Sequence, residues 1–239
     1  MTDHQHIVSS FDRDLEAIQA QIMKMGGMVE RAISDAARSL ETRDDELAEE
    51  VRNRDRAIDA LEEQINEEAA RLLALRAPTA NDLRLVLTVI KISGSLERIG
   101  DYAKNIAKRT SVLSATVPVN GSPAALRRMA REVEEMLKDV LDAYIQRDAD
   151  LAHEVINRDE DVDQMYNAIF REFLTFMMED PRNITPCMHL HFIAKNTERM
   201  GDLVTSIAEQ VIYLVTGKMP EEPRPKADRT STDPSIVPS

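Results

Sequence analysis

The 239-residue sequence predicts an all-α protein made of two tandem three-helix bundles. Three observations carry that prediction. Apolar residues step by three and four along long segments, which places them on one face of a helix. The composition favours helices over sheets, with 4% aromatic residues, no tryptophan and only seven glycines beside abundant Ala, Leu, Glu, Asp and Arg. A stretch of the first half also returns in the second at a fixed spacing.

The first helix is read from Phe11 through Leu15, Ile18, Ile22, Met25, Val29, Ile33 and Leu40. Gly26-Gly27 in its interior predicts close packing or a kink, since glycine otherwise weakens a helix. The second runs from about Asp44 to Arg76 with Leu47, Val51, Ile58, Leu61, Ile65 and Leu72 inward, and Pro78 stops it. Thr79 with Asp82 resembles a capping box that opens the third helix, through Leu85, Val89, Ile92, Leu96, Ile99, Ala103 and Ile106. Proline, Asn-Gly and Ser-Pro fall together in VPVNGSP, so 117–123 is read as a linker. A fourth helix reaches about Arg147 and a fifth spans about Asp148 to Glu179. Asp180-Pro181 breaks the chain, and a sixth helix ends near Gly217. The domains expected are 1–116, the linker, 124–217, and a disordered tail at 218–239, where half of the ten prolines lie.

The repeat supplies the candidate site. ELAEEVRNRDRAIDAL at 46–61 aligns with DLAHEVINRDEDVDQM at 150–165 at an offset of 104, and ERIGD at 97–101 aligns with ERMGD at 198–202 at an offset of 101. Each half therefore carries two acid pairs spaced i,i+4 on consecutive antiparallel helices. They are Asp55/Asp59 with Glu97/Asp101, and Asp159/Asp163 with Glu198/Asp202. Like charges at that spacing destabilise a helix by about 0.2–0.5 kcal/mol. Each pair sits on the shoulder of an apolar stripe, so two shoulders can face one another. Four carboxylates brought together need protons or a cation, and oxygen-only ligands suit Mg²⁺, Mn²⁺, Ca²⁺ or iron better than structural zinc. Gly100 and Gly201 would let a backbone or a metal-bound water approach closely. The other reading of these residues is a solvated acidic face with ion pairs to Arg98 and Arg199.

Several functions are disfavoured. The net charge of −13 repels nucleic acid and anionic lipid and points to cationic ligands or basic protein surfaces. No apolar run is long enough for direct membrane insertion, and the polar N-terminus lacks a signal-peptide layout, so a cytoplasmic location is expected. The lone Cys187 excludes an intramolecular disulfide and has no partner for nucleophilic chemistry. His153 aligns with Glu49, so no symmetric histidine ligand exists, and His189 and His191 read as surface or packed residues. No catalytic residue is assigned. A carboxylate-bridged metal enzyme and a metal-free helical scaffold are the alternatives to a regulatory role.

MGGMVE at 25–30, PTANDLRLV at 78–86, LERIGD at 96–101, DVLDAY at 139–144, MMEDPR at 177–182 and ERMGD at 198–202 together resemble the PhoU family. The resemblance covers 11 to about 217. It implies a six-helix, usually dimeric protein whose E/D-x-x-x-D motifs bind iron clusters or zinc in some members and magnesium or manganese in others. Here those motifs are Asp55 to Asp59, Glu97 to Asp101, Asp159 to Asp163 and Glu198 to Asp202. It further implies a negative regulator of the phosphate-starvation response, an adaptor between a phosphate ABC transporter ATPase and a phosphate-sensing histidine kinase, recruited to the membrane through those partners. Arg76, Pro78, Asp82 and Arg84 are the candidate partner contacts, with capping and salt bridging at a helix start as their structural alternative.

Overall fold

The computed structural model describes residues 2–76, 80–116, 118–119 and 122–220, the side chains of 2–12 and of Arg76 falling outside that description. Six long helices follow one another: α1 Thr2–Thr42, α2 Asp45–Arg76, α3 Ala80–Ser114, α4 Ser122–Gln146, α5 Ala149–Glu179 and α6 Ile184–Thr216. The tail read as disordered at 218–239 lies outside the described residues beyond residue 220. α4 opens at Ser122, inside the segment read as linker, with Pro123 in its first turn, where the missing N–H loses nothing.

Most of the expected apolar stripes are buried, Leu47 being half-buried and the side chain of Phe11 lying outside the described residues. Ile18, Ile22, Met25, Val29 and Ile33 of α1 are buried, as are Ile58, Leu61 and Ile65 of α2 and Val89, Ile92, Leu96 and Ile99 of α3. Helices α1, α3, α6 and α4 form a closed ring in which each packs on the next, while α2 lies outside on α1 and α3, and α5 on α4 and α6. One continuous apolar core runs through all six. The seams α2/α3 and α5/α6, where the acid pairs fall, are thus equivalent outer seams of the two halves.

The repeat extends into the turns. Arg43 and Arg147, 104 residues apart, both take a left-handed backbone (φ 56 and 57°) just past α1 and α4, the position glycine usually holds. The aspartate that follows each caps the next helix. Asp44 Oδ1 accepts from the Leu47 N–H at 2.9 Å, and Asp148 Oδ1 accepts from Asp150 and Leu151 at 3.0 Å each. Arg43 also donates to the Leu113, Ser114 and Thr116 carbonyls at 2.5, 2.8 and 2.5 Å, satisfying the C-terminal end of α3. A second repeated device pins the outer helices. Arg54 of α2 pairs with Asp35 of α1 at 2.9 Å, and Arg158 of α5 with Asp139 of α4 at 2.5 Å.

The two interior glycines of α1 differ. A Cβ on Gly26 would overlap the buried Leu141 of α4, whereas one on Gly27 meets nothing within 4 Å. Close packing therefore explains Gly26, and no contact explains Gly27.

Candidate functional site

In the first half, α2 and α3 bring all four predicted acids together. Asp59 is held above the ordinary carboxylate range by desolvation and then by Asp55, with Asp101 and Glu62 adding to the repulsion and Lys104 opposing it. Glu97 is raised likewise by desolvation, then by Asp101, Asp59, Glu62 and Asp55. Mutual repulsion among Asp55, Asp59, Glu97 and Asp101 is the electrostatic signature of one cluster. Asp55 is buried, at 4% exposure, while Asp59 is exposed and Glu97 and Asp101 are half-buried.

The sequence reading missed the cation inside this cluster. Lys104, one turn beyond Asp101, donates to Asp55 Oδ2 and, at 2.6 Å, to Asp101 Oδ1. The two carboxylates raise its pKa against the lowering effect of desolvation. Spacing could have shown that Lys104 lies i,i+3 from Asp101; its reach to Asp55 on another helix needed the fold. Asp55 Oδ1, by contrast, is buried with no hydrogen-bond partner among the described residues. An orphaned buried carboxylate oxygen among further oxygen donors is chemically suited to a hard cation.

The second quartet is deeper. Asp159, Asp163 and Glu198 are 3%, 5% and 6% exposed, and Asp202 is half-buried. Its ammonium arrives from the other direction: Lys195 precedes Glu198 by three residues and donates to Oε1 at 2.8 Å. The aligned counterpart of Lys104 is Thr205, and that of Lys195 is Gly94. The acids follow the repeat, and their lysines do not. Among the described residues, no three His, Cys, Asp or Glu side chains converge closely enough to hold an ion as they stand.

The glycines are explained by packing. A Cβ on Gly100 would lie 3.1 Å from Ile58 Cδ1 and 3.6 Å from Asp55 Oδ1, and one on Gly201 would lie 2.9 Å from Asp159 Oδ1 and 3.4 Å from Val162 Cγ1. What the absent side chain admits is thus the facing acid and aliphatic residue of the neighbouring helix, a sharper account than backbone or water. Bare α3 and α6 surfaces let Asp55 and Asp159 sink to the seam.

The remaining candidates are placed as follows. Arg84 turns toward the end of α6, its guanidinium 5.6 Å from the Tyr213 ring and beside Gly217, where a cation also suits the helix C-terminus. Asp82 is half-buried in the first turn of α3. Arg76 ends α2, and its side chain and Pro78 lie outside the described residues. His191 packs against Phe170 at 5.2 Å and Tyr166 at 6.1 Å, and burial followed by Lys195 lowers its pKa. His189 meets Arg109 Nη1 at 3.3 Å through Nδ1. Cys187 is buried.

A ring of four helices with two flanking helices and two acid quartets on equivalent seams defines a class of duplicated helical-bundle proteins. The pattern that defines the PhoU domain matches residues 22–110 and 126–211. The chain is 44% identical over 238 residues, 98% of its own length and 99% of the relative, to the phosphate-specific transport system accessory protein PhoU homolog of Rhizobium meliloti (strain 1021). It is 48% identical over 222 residues, 92% of this chain and 93% of the relative, to the homolog from Zymomonas mobilis. The crystal structure of PhoU from Pseudomonas aeruginosa superposes with a TM-score of 0.83 at 40% identity, covering 87% of this chain and 100% of that one. The phosphate transport system regulatory protein PhoU from Streptococcus pneumoniae gives 0.81 at 30% identity, covering 89% and 100%. This chain belongs to the PhoU family. Family members are characteristically non-enzymatic regulatory proteins, and the chain is read as such on that ground. Among the described residues no helix is long and apolar enough to cross a membrane.

Proposed function

We propose that the chain is a negative regulator of the phosphate-starvation response and of phosphate uptake, acting as a metal-binding adaptor between a phosphate ABC transporter ATPase and a phosphate-sensing histidine kinase. Membership of the PhoU family carries the coarser part, a general regulatory role in phosphate homeostasis. A cytoplasmic location, recruitment to the membrane through the partners and a homodimeric state belong to the same proposal, as does partner contact by Arg76, Pro78, Asp82 and Arg84.

The observation that supports metal binding is the acid cluster whose buried Asp55 Oδ1 lacks a hydrogen-bond partner. Asp55, Asp59, Glu97 and Asp101 would hold one ion or cluster, and Asp159, Asp163, Glu198 and Asp202 another. The oxygen donors fit Mg²⁺, Mn²⁺ or iron better than Zn²⁺. A bound cation would supply positive charge that neutralises the quartet and ties α2 to α3, or α5 to α6. Lys104 already bridges Asp55 and Asp101, so in the first half the ion competes with an internal ammonium.

Three measurements test the proposal. Deleting the gene should raise alkaline phosphatase expression in high phosphate; persistent repression refutes the regulatory reading. Elemental analysis should show lower metal content after Glu97→Ala plus Glu198→Ala than in the wild type, and equal content refutes the quartets as ligands. If metal organises the adaptor, chelation weakens capture of the kinase or the ATPase from phosphate-replete cells.

A further inference from the structure

The acid seams leave unused a cleft of about 420 Å³ between α3 and α6. Asn105, Lys108, Arg109 and Val112 line it from α3, and His189 and Asn196 from α6. In a chain with 43 acidic residues, none of these lining residues is a carboxylate. The cleft brings two cations and two side-chain amides to one place. Both cations come from adjacent positions of α3, and α6 closes the cleft with His189 and Asn196.

Arg109 is held ready for a ligand. Its guanidinium carbon stands 4.3 Å from the centroid of the Phe192 ring, a cation–π contact that uses the flat face and leaves the N–H edges for hydrogen bonding. One of those groups meets His189 Nδ1 at 3.3 Å. A guanidinium can only donate, so Nδ1 accepts, and the ring proton of neutral His189 sits on Nε2 as a further donor. Among the described residues neither Lys108 nor Arg109 forms an ion pair, and partial burial lowers the Arg109 pKa through desolvation. A half-buried guanidinium with no counter-anion in a strongly acidic protein is anomalous, because a carboxylate would have been easy to supply.

The repeat shows that this chemistry is confined to one end of the α3/α6 interface. At the α3/α6 offset of 101, Lys108 and Arg109 correspond to Glu209 and Gln210, and His189 and Asn196 to Thr88 and Ser95. The acid quartets are kept across the repeat, while the repeat equivalents of the cleft residues include no cation. Packing of α3 against α6 therefore does not require these residues.

We propose that the α3/α6 cleft is an oxyanion site for a phosphate-class ligand, bound by Arg109 and Lys108 with Asn105, Asn196 and His189 as neutral donors. Donors from two helices in several directions suit a tetrahedral ion with acceptors all round better than a planar carboxylate, which a single guanidinium fork satisfies. The ligand is inorganic phosphate or the phosphoryl group of a small monoester. The site needs no metal, and its test is independent of the regulatory reading, which is decided by reporter expression in cells.

The experiment titrates the purified full chain with inorganic phosphate, glycerol 3-phosphate, sulfate and acetate, following heat release or ³¹P line width. The comparison protein is Lys108→Glu with Arg109→Gln, the residue types that occupy the equivalent places in the second half, with helicity checked by circular dichroism. The wild type is expected to bind phosphate saturably and acetate about tenfold more weakly, with sulfate competing. The double variant should lose about tenfold or more in affinity, the loss of one charge-assisted hydrogen bond. Tighter binding of phosphate than of the monoester identifies the free ion as ligand, and the reverse identifies an esterified phosphoryl group. Absence of saturable binding by the wild type, equal binding by wild type and variant, or acetate binding as tightly as phosphate overturns the proposal. Should the double variant unfold, Asn196→Asp makes the same comparison by placing a negative charge in the cleft.

Discussion

Gly26→Ala and Gly27→Ala form a paired test of how α1 meets α4. Both sit in the interior of one helix, so alanine brings each the same backbone gain, about 1 kcal/mol. Nothing lies within 4 Å of a Cβ on Gly27, and that variant should be more stable by about 0.5–1 kcal/mol. A Cβ on Gly26 would overlap Leu141 Cδ1 and stand 3.4 and 3.5 Å from its Cδ2 and Cγ. Leu141 is only 1% exposed and has little space into which to retreat. Overpacking of this kind costs about 1–3 kcal/mol, so Gly26→Ala should come out neutral to about 2 kcal/mol less stable. The two variants should therefore differ by about 1–3 kcal/mol, or several degrees of Tm at roughly 2–4 °C per kcal/mol for a chain of this size. Urea unfolding followed by circular dichroism measures both, and Leu141→Val should recover part of the loss in Gly26→Ala. Equal stabilisation by the two alanines would refute the close α1/α4 contact.

Three further outcomes are expected. Lys104→Met removes the ammonium between Asp55 and Asp101 and should lower stability without divalent cations by about 1–3 kcal/mol, with Mg²⁺ or Mn²⁺ restoring it; failure of every cation to restore stability would favour a metal-free scaffold. Asp59 and Glu97 have folded-state pKa values above their ordinary ones, so their ionisation weakens the fold as pH rises above the usual carboxylate range and the penalty vanishes as pH falls back through it. Asp59→Asn with Glu97→Gln should then raise the urea midpoint at pH 7, the gain shrinking toward pH 4, and a gain independent of pH would count against repulsion as the cause. Cys187 is buried, and desolvation followed by Glu172 raises its thiol pKa, so a thiol reagent should label it slowly in the native protein and rapidly in urea; rapid native labelling would contradict its placement.

Much of this molecule could be read from local pattern. The stripes Ile18–Ile22–Met25–Val29 and Val89–Ile92–Leu96–Ile99 are visible because helical periodicity is written within a few turns of one segment. Duplication made the acid pairs stand out, since Asp55/Asp59 and Glu97/Asp101 return as Asp159/Asp163 and Glu198/Asp202 at constant offsets. The same offset of 104 relates Asp35 to Asp139, Arg43 to Arg147 and Arg54 to Arg158, although the bridges and turns they form are properties of the fold.

By itself the sequence determined six helices, their apolar faces, the duplication and the eight carboxylates, because each is a property of short stretches or of a repeat. Only the tertiary structure decided that α1, α3, α4 and α6 close a ring with α2 and α5 outside. It also decided that Gly26 rather than Gly27 is packed, that Gly100 and Gly201 make room for Asp55 and Asp159, and that Lys104 and Lys195 reach their quartets from different sides. The α3/α6 cleft belongs to this second group, since Arg109 and His189 are 80 residues apart in sequence and their separate segments carry no sign of a shared site. The physical reason is common to all of these. Charge, burial and steric fit depend on which side chains meet, and they meet across helices whose register is set by the whole core.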